Sequence, residues 1–275
     1  PDAPGGHGVQ ATARAGALTR EIRLAHDTGK HSVVAGYFSI ALAEKERLNA
    51  SVLAKAMRSM LKSERPLLAF SAACELVDRG KTIFRREYDA LADGLATETQ
   101  LVDAAYFEVE KRAQGGGLAS PEALNLVIEA CARMRDPDRA FATFAEMETL
   151  GVKPDVGTFN ALLATCVYAR EHPTARRLLS RMEADGIAPN PKTYECRLAL
   201  QAQTKDRYGS RAVLDECLKA GLVPTTRMYV TIFNQIVPRN EEIRSQYLTQ
   251  QRLDAARRLV DDVASVIEKM AGEEN

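Results

Sequence analysis

The sequence predicts an all-α protein, a right-handed-type α-solenoid of helix-turn-helix repeats with a 35-residue period and a C-terminal capping helix. Two observations predict this class: apolar side chains recur at helical spacing, and turn residues recur at a fixed step. Gly151, Gly186 and Gly221 are spaced by 35 residues, and a proline follows each glycine after three residues. Since one helical hairpin cannot bury its own apolar stripe, neighbouring repeats are expected to stack into one continuous core. The spacing alone does not determine the handedness of that stack.

One period, residues 156–190, illustrates the order of helix, tight turn, helix and loop. The apolar residues within 159–167 fall at i, i+3, i+4, i+7 and i+8, on one face of a first helix. Pro173 suits the first turn of the second helix, where its missing N–H costs nothing. The second apolar stripe spans residues 175–182, and Gly186 suits the left-handed position that ends that helix.

The repeat signal divides the chain into five segments. It is clear over the centre, fades toward the N-terminus and is displaced near the C-terminus. The predicted segments are a flexible N-terminal arm (1–17), degenerate helical-hairpin repeats (18–120), three recognisable repeats (121–225), a divergent last repeat with a long capping helix (226–270) and a tail (271–275). The arm is rich in glycine and alanine, and the absence of an initiator methionine is expected of a processed or trimmed chain.

Composition and charge exclude several function classes. Equal numbers of basic and acidic residues give a net charge of zero, which excludes a uniformly basic nucleic-acid binder but not a local basic stripe. The longest weakly polar run, residues 32–43, is far shorter than the roughly 20 residues that span a bilayer. We therefore expect no membrane insertion.

Neither the cysteines nor the histidines form a recognisable site. The five cysteines contain no C-x-x-C pair, as expected of free thiols in a reducing compartment, and the four histidines are scattered. The chain also lacks H-E-x-x-H and a Ser-His-Asp arrangement. We predict a binding module rather than an enzyme, with no catalytic residue, no metal, no cofactor and no small-molecule substrate.

Two segments of the chain share a motif. Residues 147–160 read M-E-T-L-G-V-K-P-D-V-G-T-F-N, and residues 182–195 read M-E-A-D-G-I-A-P-N-P-K-T-Y-E. These segments resemble the pentatricopeptide repeat, whose period matches the spacing found here. The resemblance is close over residues 121–225 and weaker elsewhere. A tetratricopeptide repeat would have 34 residues and a Trp near its start, whereas this chain contains no Trp.

The resemblance implies that the protein binds single-stranded RNA in mitochondria or plastids, at about one base per repeat along a concave face. In that family, the residue after the aromatic of the first helix and the last residue of the unit read the base. The corresponding pairs are Asn125 with Asp155, Asn160 with Asn190, and Glu195 with Thr225. The first pair resembles a uridine reader and the second a pyrimidine reader, whereas the third departs from the pattern.

The same residues have plainer interpretations. Asp155 and Asn190 are equally suited to cap the following helix, and Asn125 and Asn160 are ordinary polar residues near a helix start. The positions that sandwich the bases in the family are Glu122, Gly157 and Lys192 here, none of which is a small aliphatic residue. A basic excess over residues 192–258 would hold phosphates or lie on a solvated outer face.

Three function classes therefore remain open. The first is a non-catalytic RNA-binding protein of an organelle that acts in RNA processing, stability or translation. The second is a structural subunit of a large organellar ribonucleoprotein, such as a mitochondrial or plastid ribosome, that holds rRNA and protein partners. The third is a protein-only scaffold. The two intact reading pairs favour the first class, whereas the missing sandwich residues and the neutral charge favour the second.

Overall fold

Helical segments separated by glycine and proline turns account for every regular element of the computed structural model, which describes residues 6–115, 120–204, 206–236, 258 and 261. Thirteen α-helices and no strand lie in these residues, so the predicted all-α class is confirmed. The chain divides into two compact units, Pro1–Ala161 and Leu162–Asn275.

The first unit contains eight complete helices that pair as successive hairpins. Odd-numbered helices contact the next odd-numbered helix, from α1 through α3 and α5 to α7, and α4 likewise contacts α2 and α6. Each hairpin therefore adds one helix to an odd layer and one to an even layer, as in a helical-repeat stack. The helices are α1 (Gly6–Asp27), α2 (His31–Ala43), α3 (Ala50–Lys62), α4 (Pro66–Val77), α5 (Arg85–Leu95), α6 (Thr99–Gln114), α7 (Pro121–Met134) and α8 (Pro137–Thr149).

The second unit continues the same alternation of helices. Helix α9 (Val156–Ala169) runs from the end of the first unit into the second, which also contains α10 (His172–Ala184), α11 (Pro191–Gln203), α12 (Arg207–Lys219) and α13 (Thr226–Ile236). Helices α11, α12 and α13 contact one another. Their shared core includes Tyr194, Cys217 and Tyr229, and the two tyrosines are one 35-residue period apart.

The structure describes the two ends of the chain only in part. The sequence predicts a flexible arm over residues 1–17, whereas α1 begins at Gly6. The physical reason lies in the four alanines of residues 11–17, since alanine has the strongest helix propensity of all residues. Of the predicted last repeat and capping helix (226–270), only α13 and residues 258 and 261 lie within the described residues, and the tail (271–275) lies outside them.

A capping register extends the repeat beyond its recognisable part. The residues directly before α3, α5, α7, α9, α11 and α13 recur at steps of 35 or 36 residues, and they are Asn49, Phe84, Ser120, Asp155, Asn190 and Thr225. Five of these six side chains accept a hydrogen bond from a backbone N–H in the first turn of the helix that follows. Phe84 is the exception. The degenerate segment therefore keeps the period of the clear repeats.

The glycines of the repeat end the even-numbered helices as the sequence predicts. Gly151, Gly186 and Gly221 have φ angles of 69°, 70° and 71°. After Gly186, the N–H of Ile187 donates to the carbonyl of Met182 over 2.9 Å, which satisfies a backbone group at the end of α10. Only a residue without a Cβ adopts this conformation at low cost.

Replacing Gly186 by alanine should therefore lower the free energy of unfolding by about 1–2 kcal/mol, the cost of a left-handed conformation for a residue with a Cβ. Gly36, within α2, is the matched control: a Cβ at either glycine would meet no atom within 4 Å, but Gly36 lacks the positive φ. Gly36→Ala should raise the free energy of unfolding by about 0.5–1 kcal/mol. Urea unfolding measures both changes, and a loss of stability in both variants would contradict the assignment to backbone conformation.

Candidate nucleic-acid interface

The structure brings together the two residues of the first predicted reading pair. Nδ2 of Asn125, on α7, donates a hydrogen bond to Oδ1 of Asp155 over 2.9 Å. The same Asp155 oxygen accepts from the backbone N–H and the hydroxyl of Thr158, at 2.8 and 3.0 Å. Asp155 therefore caps α9 and holds the side chain of Asn125 with the same carboxylate oxygen.

The amide of Asn125 is left with an unmet acceptor. Its side chain is buried, with 4% of the residue exposed, and its Oδ1 has no hydrogen-bond partner among the described residues. Because a carboxylate only accepts, Asp155 requires the Nδ2 end of the amide to face it and leaves Oδ1 on the other side. A buried acceptor without a donor costs about 1–3 kcal/mol, so this oxygen favours any ligand that offers an N–H or O–H group.

Gly157 provides the space for this contact. A Cβ on Gly157 would lie 2.7 Å from Nδ2 of Asn125 and 3.1 Å from Oδ1 of Asp155. The sequence marks Gly157 only as a missing sandwich surface. The structure adds that its lack of a side chain allows Asn125 and Asp155 to meet.

The second predicted pair lies in two different units. Asn160, on α9, is buried with 7% of its surface exposed and belongs to the first unit. Asn190 belongs to the second unit and caps α11, where its Oδ1 accepts from the N–H of Thr193 over 3.1 Å. The hydroxyl of Thr193 accepts in return from the N–H of Asn190, which completes a capping box.

The third predicted pair is in contact but already supplied with donors. Glu195 accepts from the hydroxyl of Thr225 over 2.9 Å and from Nζ of Lys192 over 2.8 Å, and Arg227 lies 3.5 Å away. Burial by itself raises the pKa of Glu195, but the bonds from Lys192 and Thr225 and the charge of Arg227 outweigh burial, so the pKa lies below its ordinary value. Glu195 is therefore an anion within a local cluster, and Lys192 is part of that cluster.

Asp89, which the sequence analysis does not single out, occupies the same register on α5. It precedes Asn125 by 36 residues, the step that also separates Gly80 from Gly116. Its carboxylate accepts from Arg85 over 2.9 Å and from Arg133 over 2.7 Å. Two guanidinium groups thus contact Asp89, so its carboxylate is already paired within the protein. The 36-residue step is the signal that would have identified it.

Several of the described basic residues of the second unit pair with carboxylates. Arg197 lies 2.7 Å from Glu216, and Arg211 lies 3.0 Å from Asp215. Lys192 and Arg227 share the Glu195 carboxylate. These pairs weaken the attraction that the basic stretch would exert on phosphates, and they favour its interpretation as a surface of local ion pairs.

The described part of the chain contains no cluster of three His, Cys, Asp or Glu residues that could hold a metal ion. All five cysteines are buried free thiols. Burial raises the pKa of Cys74 and Cys131 to about 12, which keeps both thiols protonated and unreactive. Within the same residues, no helix is long and apolar enough to cross a membrane.

The contact between Gly157 and Asn125 predicts energetic coupling. Gly157→Ala should displace the amide of Asn125 from Asp155 and lose one hydrogen bond, whereas in an Asn125→Ala background the new methyl group meets no amide. The cost of Gly157→Ala should therefore be smaller by about 1 kcal/mol in that background. Urea unfolding of the wild type, both single variants and the double variant measures this difference. Equal costs in both backgrounds would show that the two residues do not interact.

The Glu195 cluster predicts a pH-dependent stability. Because the folded pKa is depressed, the carboxylate stabilises the fold above its unfolded pKa of about 4.3, and this contribution is lost as the pH falls through the lower folded pKa. Glu195→Gln should reduce the free energy of unfolding by about 1–3 kcal/mol at neutral pH, the worth of hydrogen bonds to a charged group. The difference from wild type should shrink below about pH 4.

Urea unfolding at neutral and acidic pH measures this effect, with Glu183→Gln as the control because Glu183 is an exposed carboxylate of α10. A cost that stays constant across the pH range would assign the role of Glu195 to packing rather than to charge.

Comparison with known proteins supports the repeat assignment. The family model for the pentatricopeptide repeat domain matches residues 123–169 and 144–200. This span includes Asn125, Asp155, Asn160, Asn190 and Glu195, five of the six predicted site residues. No curated protein matches the chain.

The chain is also similar to solved structures of helical-repeat proteins. The pentatricopeptide repeat protein PPR10 from maize is similar with a TM-score of 0.52 and 24% identity, over 91% of this chain and 34% of that one. PPR10 in complex with an 18-nt psaJ RNA element matches with a TM-score of 0.46 and 20% identity, over 95% of this chain and 44% of that one. The PPR domain of Arabidopsis thaliana protein-only RNase P 1, in complex with tRNA, matches with a TM-score of 0.44 and 18% identity, over 67% of this chain and 95% of that one. The chain thus spans about a third of the PPR10 chain, and the first likeness confirms the predicted helical-repeat fold.

Proposed function

We propose that this chain, whose residues 123–200 match the pentatricopeptide repeat domain, is a non-catalytic protein of that family that binds single-stranded RNA. The observation that carries the proposal is the contact between Asn125 and Asp155. It joins the two register positions at which the family reads a base, and it leaves a carbonyl oxygen without a donor.

The chemistry of this pair favours uracil. A uracil edge presents the N3–H donor beside the O4 acceptor. Oδ1 of Asn125 accepts from N3–H, while the second N–H of Nδ2 donates to O4, and Asp155 holds the amide in the orientation that both bonds require. Because only 4% of Asn125 is exposed, the neighbouring side chains must rotate away before a base can reach it.

The other two pairs contribute differently. Asn160 and Asn190 each carry an amide that both donates and accepts, so either side chain suits a pyrimidine. Glu195 accepts only, and Lys192, Thr225 and Arg227 already surround it. Two readable bases at about 1–3 kcal/mol each stay below the roughly 8 kcal/mol of a micromolar complex. Further RNA contacts or protein partners supply the remaining affinity.

The proposed setting is a mitochondrion or plastid, by likeness to the family. There the protein acts in the processing, stability or translation of a transcript. We expect the RNA to contact the first helices of the repeats, which line a concave face in that family.

A second candidate is a structural subunit of a large organellar ribonucleoprotein, such as a mitochondrial or plastid ribosome, with rRNA and proteins as partners. The ion pairs of Lys192, Arg197 and Arg211 favour it, because compensated cations add little affinity for any RNA and leave protein partners to supply much of the attachment. A protein-only scaffold is a further alternative.

Substituting the reading asparagines separates these functions. Asn125→Ala and Asn160→Ala should each weaken binding of a uridine-rich oligonucleotide by about 5- to 30-fold, equivalent to about 1–2 kcal/mol. Asn234→Ala is the control, since Asn234 lies near the end of α13 and outside the reading positions. Fluorescence anisotropy of a labelled oligonucleotide measures the dissociation constants, and unchanged affinity in both variants would exclude base reading by these residues.

Crosslinking in the native extract, followed by sequencing of the attached RNA, identifies the target class. A short site with adjacent pyrimidines is the result expected of a transcript-specific binder. Ribosomal RNA without such a preference would favour the assembly subunit. RNA at background level would leave only the protein scaffold.

A further inference from the structure

Phe84 breaks the capping register of the first unit. It precedes α5 as Asn49, Ser120 and Asp155 precede α3, α7 and α9, but it has no side-chain acceptor for the first-turn N–H groups. Nor is its ring buried: 68% of the residue is exposed. The side chain therefore serves neither as a cap nor as part of the core. A local rule that is broken without a compensating structural gain is expected at a functional position.

Most of the charged residues next to Phe84 in the sequence are basic, and the one acidic residue in the first turn of α5, Glu87, pairs with Arg58. Arg85 and Arg86 follow it directly, Lys81 precedes it by three residues, and all three side chains are exposed. Arg85 pairs with Asp89, whereas the described residues hold no ion pair for Arg86 or Lys81. The uncapped first turn of α5 adds partial positive charge from its backbone N–H groups. The patch therefore favours an anionic ligand.

Another exposed aromatic residue shows what is particular to Phe84. Phe107 on α6 is 62% exposed, but Glu108 and Glu110 are its neighbours in sequence. Phe107 lies in the even layer of helices and does not stand at a position of the capping register. The residues that follow Phe107 directly include Glu108, which pairs with Arg112, whereas those that follow Phe84 directly are Arg85 and Arg86. Phe84 therefore combines an open ring with adjacent cations.

We propose that Phe84, Arg86 and Lys81 form a stacking platform for one unpaired base of single-stranded RNA. The base stacks on the ring of Phe84, and Arg86 and Lys81 contact the adjacent phosphates. An aromatic face combined with basic side chains is the usual means by which proteins hold single strands. The inference rests on the proposed function, because it adds a contact to the same RNA.

Such a platform selects no base. Every base has a π-face, so stacking is tolerant of sequence, in contrast to hydrogen bonding by Asn125 and Asp155. The platform thus adds affinity from stacking, which the sandwich positions Glu122 and Gly157 of the later repeats contribute only weakly. It also gives the degenerate repeats a role in holding RNA that their lack of reading pairs would not suggest.

The test uses the full chain and an oligouridine of about 10 nucleotides that carries a single 2-aminopurine, long enough for one base per repeat. Phe84→Ala should weaken binding by about 5- to 150-fold, the range expected for the loss of one stacked base, and should abolish the quenching of 2-aminopurine fluorescence in the complex. Phe84→Trp should retain both. Phe107→Ala, the matched control, should bind as the wild type does.

Phe84→Ser distinguishes a binding role from a structural one. Serine at this position restores a cap of the kind that Ser120 provides, so the midpoint of thermal unfolding should rise while RNA affinity falls. A wild type that binds RNA together with a Phe84→Ala variant of equal affinity would overturn this inference and leave the proposed function standing. Weakened binding by Phe107→Ala to the same extent would also overturn it. A wild type that binds no RNA would overturn both.

Discussion

The odd-numbered helices from α3 to α13 begin with backbone N–H groups that need an acceptor. In five of these six helices, the last residue of the preceding repeat supplies that acceptor. This requirement constrains the candidate site, because the capping residues are also the last residues of the predicted reading pairs. Asp155 shows the consequence most clearly. One of its oxygens accepts from Thr158 and from Asn125, so its geometry is set by the helix before any ligand arrives.

The packing of the first unit rests on apolar burial, with ion pairs that join consecutive helices of one layer. In the odd layer, Arg58 of α3 pairs with Glu87 of α5. In the even layer, Arg112 of α6 pairs with Asp78, directly after α4. Pairs that are still partly exposed, as these are, contribute on the order of 0–1 kcal/mol each, so they add little to stability. Their larger effect is on charge, because they use cations that would otherwise attract phosphates.

The four positions of the reading register differ in how fully the protein itself occupies them. Two guanidinium groups hold Asp89, and the Glu195 cluster surrounds its own carboxylate. Asn125 retains an unmet acceptor. The neutral amide of Asn125 attracts no cation from its surroundings, so its oxygen stays available, whereas the carboxylates of Asp89 and Glu195 are paired. The identity of the residue at this position thus decides whether the repeat remains open to a ligand.

The pairing of Asn125 with Asp155 is what the resemblance to the pentatricopeptide repeat implied. The sequence by itself determined the all-α class and the ends of the helices in residues 121–225. These features follow from local chemistry and from a constant period: glycine permits a left-handed turn, proline and capping residues start helices, and the period aligns equivalent positions. The alanine-rich start of α1 shows the limit of composition alone, since glycine there suggested an arm.

Only the tertiary structure decided the state of the site. It buried Asn125, left its oxygen unpaired, placed the backbone of Gly157 beside its amide and put Lys192 and Arg227 on Glu195. It also showed that Phe84 stands in a capping position without capping. The physical reason is that a period places backbones, whereas hydrogen-bond partners depend on the packing of side chains from helices that lie tens of residues apart in the chain.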